Sequence, residues 1–191
     1  MLNHDPEWDK GVEAARSGDL TGALFVFKKI ANQKNGEAAF VEIGNIYEFG
    51  GHNFERDLDE AKKWYEKSVT LVGDTKAYLG LGRLYASEIS TFKNYATAVD
   101  YFYAVKKERG AKFALGYMHE KGLGVEQDYE LAITYYKLAA DQGHVMALRN
   151  YGLLNIKTKR YRIGLTNFLK GAYQITQISY KDKNDERLRI S

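Results

Sequence analysis

Hydrophobic and small residues recur along the chain at helical spacing, and the same pattern returns five times. A small residue opens each stretch, and an aromatic residue follows it four positions later. The small residues are Ala23, Ala61, Ala98, Ala132 and Gly164, and the aromatic residues are Phe27, Tyr65, Phe102, Tyr136 and Phe168. Positions i and i+4 share one face of a helix, so each stretch predicts an amphipathic helix.

A second register, made of glycines, predicts another helix ahead of each of these. Its members are Gly11, Gly44, Gly82, Gly116 and Gly152. A glycine inside a helix costs ~1 kcal/mol relative to alanine. A repeated one therefore predicts a close contact with the paired helix, where Ala61, Ala98 and Ala132 would be the opposing small residues. Between the registers, Gly122 and Gly124 precede Asp128, as expected where one helix ends and the next begins.

These patterns predict an all-α solenoid of about five helix pairs that occupies residues 1–179 as one domain. The predicted repeats are 5–35, 36–73, 74–110, 111–143 and 144–178. Residues 180–191 are strongly polar, and we predict a C-terminal tail there rather than a sixth repeat.

One segment carries a family resemblance. Residues 111–144, AKFALGYMHEKGLGVEQDYELAITYYKLAADQGH, closely resemble the Sel-1-like repeat, a relative of the tetratricopeptide repeat. Residues 39–73 are similar, including Gly44, Ala61 and Tyr65. The resemblance extends over about residues 7–176. It implies a right-handed α-solenoid that works as a non-catalytic adaptor for another protein, without a cofactor.

The first helices line an inner groove in tetratricopeptide-like arrays, so the resemblance also implies a set of groove positions. They lie three residues before, one after and four after each register glycine. The predicted partner-binding groove consists of Trp8, Val41, Asn45, Glu48, Leu79, Arg83, Phe113, Tyr117, Glu120, Arg149 and Leu153. Apolar positions with charges above them suit a peptide or helix of a partner protein. The alternative for Phe113 and Tyr117 is packing against neighbouring repeats.

The formal net charge of +3 hides an asymmetry along the chain. Residues 1–60 hold 12 acidic and 6 basic residues, whereas residues 143–180 hold no Asp or Glu. The predicted basic end consists of Lys157, Lys159, Arg160, Arg162 and Lys170. Lys157, Lys159 and Arg160 suit a helix C-terminus, and the whole set suits an anionic partner. In a solenoid the acidic and basic ends lie apart, so weak head-to-tail self-association is a further hypothesis.

The sequence contains no residue pattern typical of a catalytic site. The chain has no cysteine, and its four histidines fall in different repeats without a His-x-x-x-His pair. We interpret the histidines as polar surface residues and the cluster Glu55, Asp57, Asp59 and Glu60 as a helix start. The sequence predicts no catalytic, cofactor-binding or metal-binding residues, and no enzyme.

The N-terminus lacks a basic start followed by an apolar run, and no stretch approaches ~18 apolar residues. We therefore expect a cytoplasmic protein without a membrane span.

Three functional hypotheses follow. The first is a protein-binding scaffold, and the second is an RNA-binding or polyanion-binding repeat that uses the basic end with Tyr161, Phe168 and Tyr173 nearby. A net charge of +3 gives weak electrostatics for nucleic acid, which is not the expected partner. The third is an enzyme of a polysaccharide pathway. The sequence offers no paired acids, nucleophile or metal-binding set to support it.

Overall fold

The computed structural model describes residues 6–181, which form ten α-helices joined by short loops. The helices are α1 (Pro6–Ser17), α2 (Leu20–Ala31), α3 (Ala39–Phe49), α4 (Leu58–Val72), α5 (Thr75–Ala86), α6 (Tyr95–Ala104), α7 (Arg109–Lys121), α8 (Tyr129–Asp141), α9 (Val145–Lys157) and α10 (Tyr161–Lys181). Over this range there is no β-strand, only an isolated bridge between Gly51 and Phe54. The prediction of an all-α chain with five helix pairs is confirmed. Of the predicted tail 180–191, the first two residues belong to α10, and the rest lies outside the described residues.

Residues of the linkers set the ends of the helices, as the sequence predicted. The Asp57 carboxylate accepts a hydrogen bond from the Glu60 N–H at 2.9 Å, and it thereby caps the first turn of α4. Asp128 does the same for α8 through the Leu131 N–H, also at 2.9 Å. Gly122 ends α7 in the left-handed conformation, with φ 70°. Such caps satisfy backbone groups that a helix leaves unpaired at its ends, so the acidic cluster is confirmed as a helix start.

The chain divides into two compact bodies between Lys93 and Asn94. The N-terminal body holds α1–α5 and the C-terminal body holds α6–α10. The boundary falls inside the predicted repeat 74–110. Each body has an apolar cluster of its own. The cluster of the N-terminal body contains Ala23, Phe27, Ile30, Ala39, Ile43 and Ile46. That of the C-terminal body contains Phe113, Ala132, Ile133, Tyr136, Ala139, Ala147 and Leu154.

Three register glycines, Gly11, Gly44 and Gly116, make room for an aromatic ring, which for Gly11 is that of Phe27. A Cβ added to Gly44 would lie 2.5 Å from the ring of Tyr65, and one added to Gly116 would lie 2.7 Å from the ring of Tyr136. On its other side Tyr65 meets α5, where a Cβ on Gly80 would lie 2.6 Å away. The nearest neighbours are therefore the aromatic residues, not the small residues one turn earlier, and this corrects the predicted pairing.

The last helix pair does show the direct approach of two backbones. A Cβ on Gly152 of α9 would lie 2.3 Å from the backbone nitrogen of Phe168, and one on Gly164 of α10 would lie 2.7 Å from that of Ile156. A side chain at either position would hold the two helices apart. Here the glycine register has the role that the sequence predicted.

Candidate protein-binding groove

In the N-terminal body, four residues of α3, α4 and α5 form a hydrogen-bonded network. Arg83 donates from Nε to Glu48 Oε1 at 2.8 Å and from Nη2 to Glu48 Oε2 at 2.6 Å. The hydroxyl of Tyr65 lies 2.6 Å from Glu48 Oε2 and 2.8 Å from Asn45 Oδ1. Only 18% of the Arg83 side chain and 9% of the Glu48 side chain are exposed. The two charges therefore face each other in a bidentate pair that is largely withdrawn from water.

The electrostatics of this network follow from burial and charge. Burial opposes the charged form of Arg83, but the adjacent Glu48 carboxylate outweighs it and raises the arginine pKa. Burial, and then the charge of Glu48, raise the pKa of Tyr65 well above its usual value. The ring of Phe49 also lies 5.3 Å from the guanidinium carbon. Glu48 and Arg83 are thus committed to each other, and the prediction that they offer exposed charges to a partner is wrong.

The remaining predicted groove residues of the N-terminal body are also covered to different degrees. Val41 is buried, contrary to the prediction of exposure. Trp8 is half-buried against Phe27, with ring centroids 5.2 Å apart. Leu79 is half-buried too. This body therefore presents few open side chains at the predicted positions.

In the C-terminal body, Phe113 belongs to the core. Its ring stacks on His144 with centroids 4.4 Å apart, and it lies 5.7 Å from the ring of Tyr136. His144 begins α9, and its Nδ1 accepts a hydrogen bond from the Ala147 N–H at 3.2 Å. Burial lowers the pKa of His144 to about 4. The alternative that Phe113 packs against the neighbouring repeat is correct, and its assignment to the groove is wrong.

Two histidines depart from the expected surface position. His119, like His144, is buried. Its Nε2 lies 2.9 Å from the Tyr103 hydroxyl, and its ring stacks on Tyr135 at 5.9 Å. An imidazole can bury its ring when a nitrogen finds a partner, which composition alone does not show. Over the described residues, no group of three or more His, Cys, Asp or Glu side chains is arranged to hold a metal ion.

Glu120 repeats the arrangement of Glu48 with one difference. Its Oε2 accepts a hydrogen bond from the Tyr136 hydroxyl at 2.9 Å, and its Oε1 lies 2.7 Å from Lys121 Nζ. Burial, and then Glu120, raise the pKa of Tyr136. The position equivalent to Arg83, one residue after the register glycine of the following first helix, holds Leu153. Among residues 6–181, no arginine forms an ion pair with this carboxylate.

An open groove of about 260 Å³ remains beside Glu120. Its lining residues are Tyr117, Glu120, Lys121, Arg149, Asn150, Leu153, Leu154 and Lys157. Tyr117 is 42% exposed and Leu153 is 38% exposed. Sequence reasoning found four of these residues at the predicted positions, and it assigned Lys157 to the basic end. It missed Lys121, Asn150 and Leu154, because helical period alone does not show which flanking side chains turn towards a groove.

The cations of this groove differ in how they are paired. Lys121 is paired with Glu120, and Lys157 Nζ lies 2.9 Å from the Tyr129 hydroxyl. The guanidinium of Arg149 has only a long contact of 3.5 Å with Asn150 Oδ1, and no carboxylate among residues 6–181 lies within salt-bridge distance of it. The groove thus combines a half-exposed apolar floor with the positive charges of Arg149 and Lys157, which no acid among residues 6–181 neutralises.

The basic end is only partly available. Arg160 forms a salt bridge with Glu130 of α8. This acid lies outside residues 143–180, the segment that contains no Asp or Glu. A wider depression of about 590 Å³ beside it is lined by Glu126, Asp128 and Glu130, among others. Lys159, Arg162 and Lys170 are exposed. The predicted positive surface is therefore weakened around Arg160 and kept along α10.

The helices and the glycine registers define an all-α repeat protein of the helix-pair class. Residues 41–71, 75–104 and 110–144, half of the chain, match the Sel1 repeat. The chain belongs to the Sel1 repeat family. Proteins of this family are generally non-catalytic scaffolds for protein–protein interaction. No helix within residues 6–181 combines the length and apolar character that crossing a membrane requires.

Solved structures share the fold. A Sel1 repeat protein from Oxalobacter formigenes is 23% identical with a TM-score of 0.68, and the match covers 90% of this chain and 69% of the other. The protective antigen c5321 of uropathogenic Escherichia coli is 20% identical with a TM-score of 0.65, covering 97% of this chain and 42% of the other. MamA is 21% identical with a TM-score of 0.56, covering 89% and 96%. At these identities the likeness concerns the fold alone.

Proposed function

We propose that this protein is a non-catalytic adaptor that binds a peptide segment of a partner protein in the groove of the C-terminal body. The observation that carries the proposal is Arg149, whose guanidinium lacks a carboxylate partner among residues 6–181 and lies beside the half-exposed Tyr117 and Leu153. Aromatic and arginine side chains in a shallow groove are typical anchors of protein interfaces.

The N-terminal body supports the proposal by contrast. There the equivalent glutamate, Glu48, is closed over by Arg83, and Tyr65 and Asn45 complete the network. A partner that bound those residues would first have to break a largely buried ion pair. In the C-terminal body Leu153 replaces that arginine, so the groove stays open and a partner meets no such cost.

The other two hypotheses find less support. For a polyanion such as RNA, Arg160 is already paired with Glu130, and the depression next to it is acidic. Nucleic acids need a continuous positive track, which this surface interrupts. An enzyme is not part of the proposal, because Sel1 repeats are generally non-catalytic scaffolds.

Site-specific crosslinking tests the groove. A photoreactive phenylalanine analogue is placed at position 117, and in a control protein at position 25, where Phe25 is also exposed but belongs to the N-terminal body. We expect a partner segment to crosslink at position 117 and not at position 25 after irradiation in an extract of the native source.

The crosslinked segment is then synthesised and titrated by calorimetry. Arg149→Glu and Tyr117→Ala should each weaken its binding at least about tenfold, since interface anchors typically contribute ~2 kcal/mol or more. Lys106→Glu, an exposed charge reversal away from the groove, should leave it unchanged. Equal affinities for all variants would refute the assignment of the groove.

A further inference from the structure

The last helix, α10, carries a row of exposed apolar residues. Tyr161, Leu165, Leu169 and Tyr173 follow one another at intervals of four residues and are 61%, 55%, 57% and 65% exposed. We call these four residues the α10 stripe. Residues four apart lie on one ridge of a helix, and twelve residues span about 18 Å along the axis. The stripe is therefore a continuous apolar ridge of about three turns.

The close contact of α10 with α9 is made by another part of the helix surface, which includes Gly164, Phe168 and Gly171. A Cβ on Gly171 would lie 2.8 Å from the backbone nitrogen of Arg149, and one on Gly164 would lie 2.7 Å from that of Ile156. Large apolar side chains that are more than half exposed in a row mark an interaction surface, unlike single exposed residues such as Leu138 on α8.

The charges beside the stripe are of one sign. Arg162 lies three residues before Leu165, and Lys170 lies three residues before Tyr173, so each cation borders the stripe on the helix surface. Residues 143–180 contain no acid, and neither cation has a carboxylate partner among the described residues. The apolar ridge is thus bordered by unneutralised positive charge.

We propose that the α10 stripe docks an amphipathic helix of another protein whose apolar face is bordered by Asp and Glu. A helix matches because its own rows of side chains can pack on either side of a ridge with four-residue spacing. Its acids would face Arg162 and Lys170, which gives complementary charge at the border. A symmetric pair of two copies of this protein would instead bring these cations together without an acid on either α10. The stripe shares no residue with the groove, so this inference goes beyond the proposed function.

A synthetic helical peptide serves as the probe. It has 18 residues, with leucine at four-residue and three-residue steps on one face and glutamate on both borders. A matched peptide has lysine in place of each glutamate. By fluorescence polarisation with the full chain, we expect the acidic peptide to bind at least about tenfold more tightly than the basic peptide. Raising the salt concentration from 50 to 500 mM should weaken its binding. Equal binding of both peptides would overturn the proposal.

Two variants of the stripe separate its apolar and charged parts. The first combines Leu165→Ser with Leu169→Ser, and the second combines Arg162→Glu with Lys170→Glu. Each double variant should bind the acidic peptide at least about tenfold more weakly than wild type. The residues are exposed, so both double variants should keep the melting temperature of wild type. If the serine variant unfolds, the peptide affinity of the charge variant tests the proposal. Leu138→Ser is the matched control and should bind like wild type.

The acidic peptide must also be distinguished from a ligand of the groove. Arg149→Glu should leave its affinity unchanged, because Arg149 belongs to the groove and not to the stripe. A loss of binding in Arg149→Glu with none in the stripe variants would overturn the stripe proposal and support the groove. If Arg149→Glu binds the acidic peptide like wild type, the stripe proposal is supported even where the groove proposal is refuted.

Other occupants give other results. Sedimentation of the protein alone at micromolar concentration should show a monomer, and a dimer that Leu165→Ser with Leu169→Ser abolishes would assign the stripe to a second copy. Flotation with vesicles of phosphatidylcholine and phosphatidylserine should leave the protein unbound, and stripe-dependent flotation would assign it to a membrane surface. A chain truncated after Lys181 should bind the peptide like the full chain, and tenfold tighter binding would assign the stripe to residues 182–191. Each of these results would overturn the proposal.

Discussion

Breaking the pair between Glu48 and Arg83 should cost more than breaking any exposed ion pair of the N-terminal body. Glu48→Gln keeps an oxygen for the Tyr65 hydroxyl but removes the charge that Arg83 faces at 2.6 and 2.8 Å. Removing one partner of a buried pair typically costs 3–5 kcal/mol, because the other charge stays buried without compensation. Arg83 keeps 18% of its side chain in water, so we expect about 2–3 kcal/mol. Arg83→Met should cost a similar amount.

The double variant measures the interaction itself. Glu48→Gln with Arg83→Met leaves no buried charge at this place, so its loss of stability should be about 2 kcal/mol smaller than the sum of the two single losses. The matched control is Glu60→Gln with Lys63→Met, an exposed pair on α4 in the same body. Its two single effects should simply add.

Urea unfolding followed by tryptophan fluorescence is the appropriate assay. The chain has two tryptophans, Trp8 and Trp64, and both belong to the N-terminal body. Their fluorescence therefore reports on the body that contains the network, whereas circular dichroism averages over both bodies. Additive effects of Glu48→Gln and Arg83→Met, within about 0.5 kcal/mol, would refute the reasoning and show that the two charges are solvated independently.

Two further predictions concern the C-terminal body. Gly116→Leu should destabilise it by at least about 2 kcal/mol more than Lys112→Leu, because the new side chain would collide with the ring of Tyr136; similar urea midpoints by circular dichroism would contradict this. Burial holds the pKa of His144 at about 4, below the ~6.5 of an unfolded histidine. The unfolded state therefore binds the proton first, so the stability that the neutral ring provides is present above about pH 6.5 and is lost as the pH falls towards 4, by an amount on the order of 2–3 kcal/mol. His144→Asn keeps a capping side chain and should unfold with a flatter dependence on pH between 4 and 6.5; an unchanged slope would rule out His144 as its source.

The sequence by itself determined the helices and their order along the chain. Ala61 and Tyr65 fall on one face of a helix, and Gly44 lies in the helix before it, because the helical period fixes which residues share a face. Asp57 and Gly122 marked a helix start and a helix end through local hydrogen bonding and the left-handed conformation. Such features depend on residues within one or two turns, so they can be read without knowing the rest of the structure.

Only the tertiary structure decided which of the predicted groove residues are open. Glu48 and Glu120 hold the same position in their repeats, yet Arg83 pairs with the first, whereas Leu153 at the equivalent position has no charge to offer the second. Phe113 lies on the predicted face, but His144 covers it. Whether a side chain is exposed depends on the residue that a neighbouring helix places against it, across a sequence distance of 30 or more residues. The period of a helix gives the direction of a side chain, and the packing of the next helix decides what it meets there.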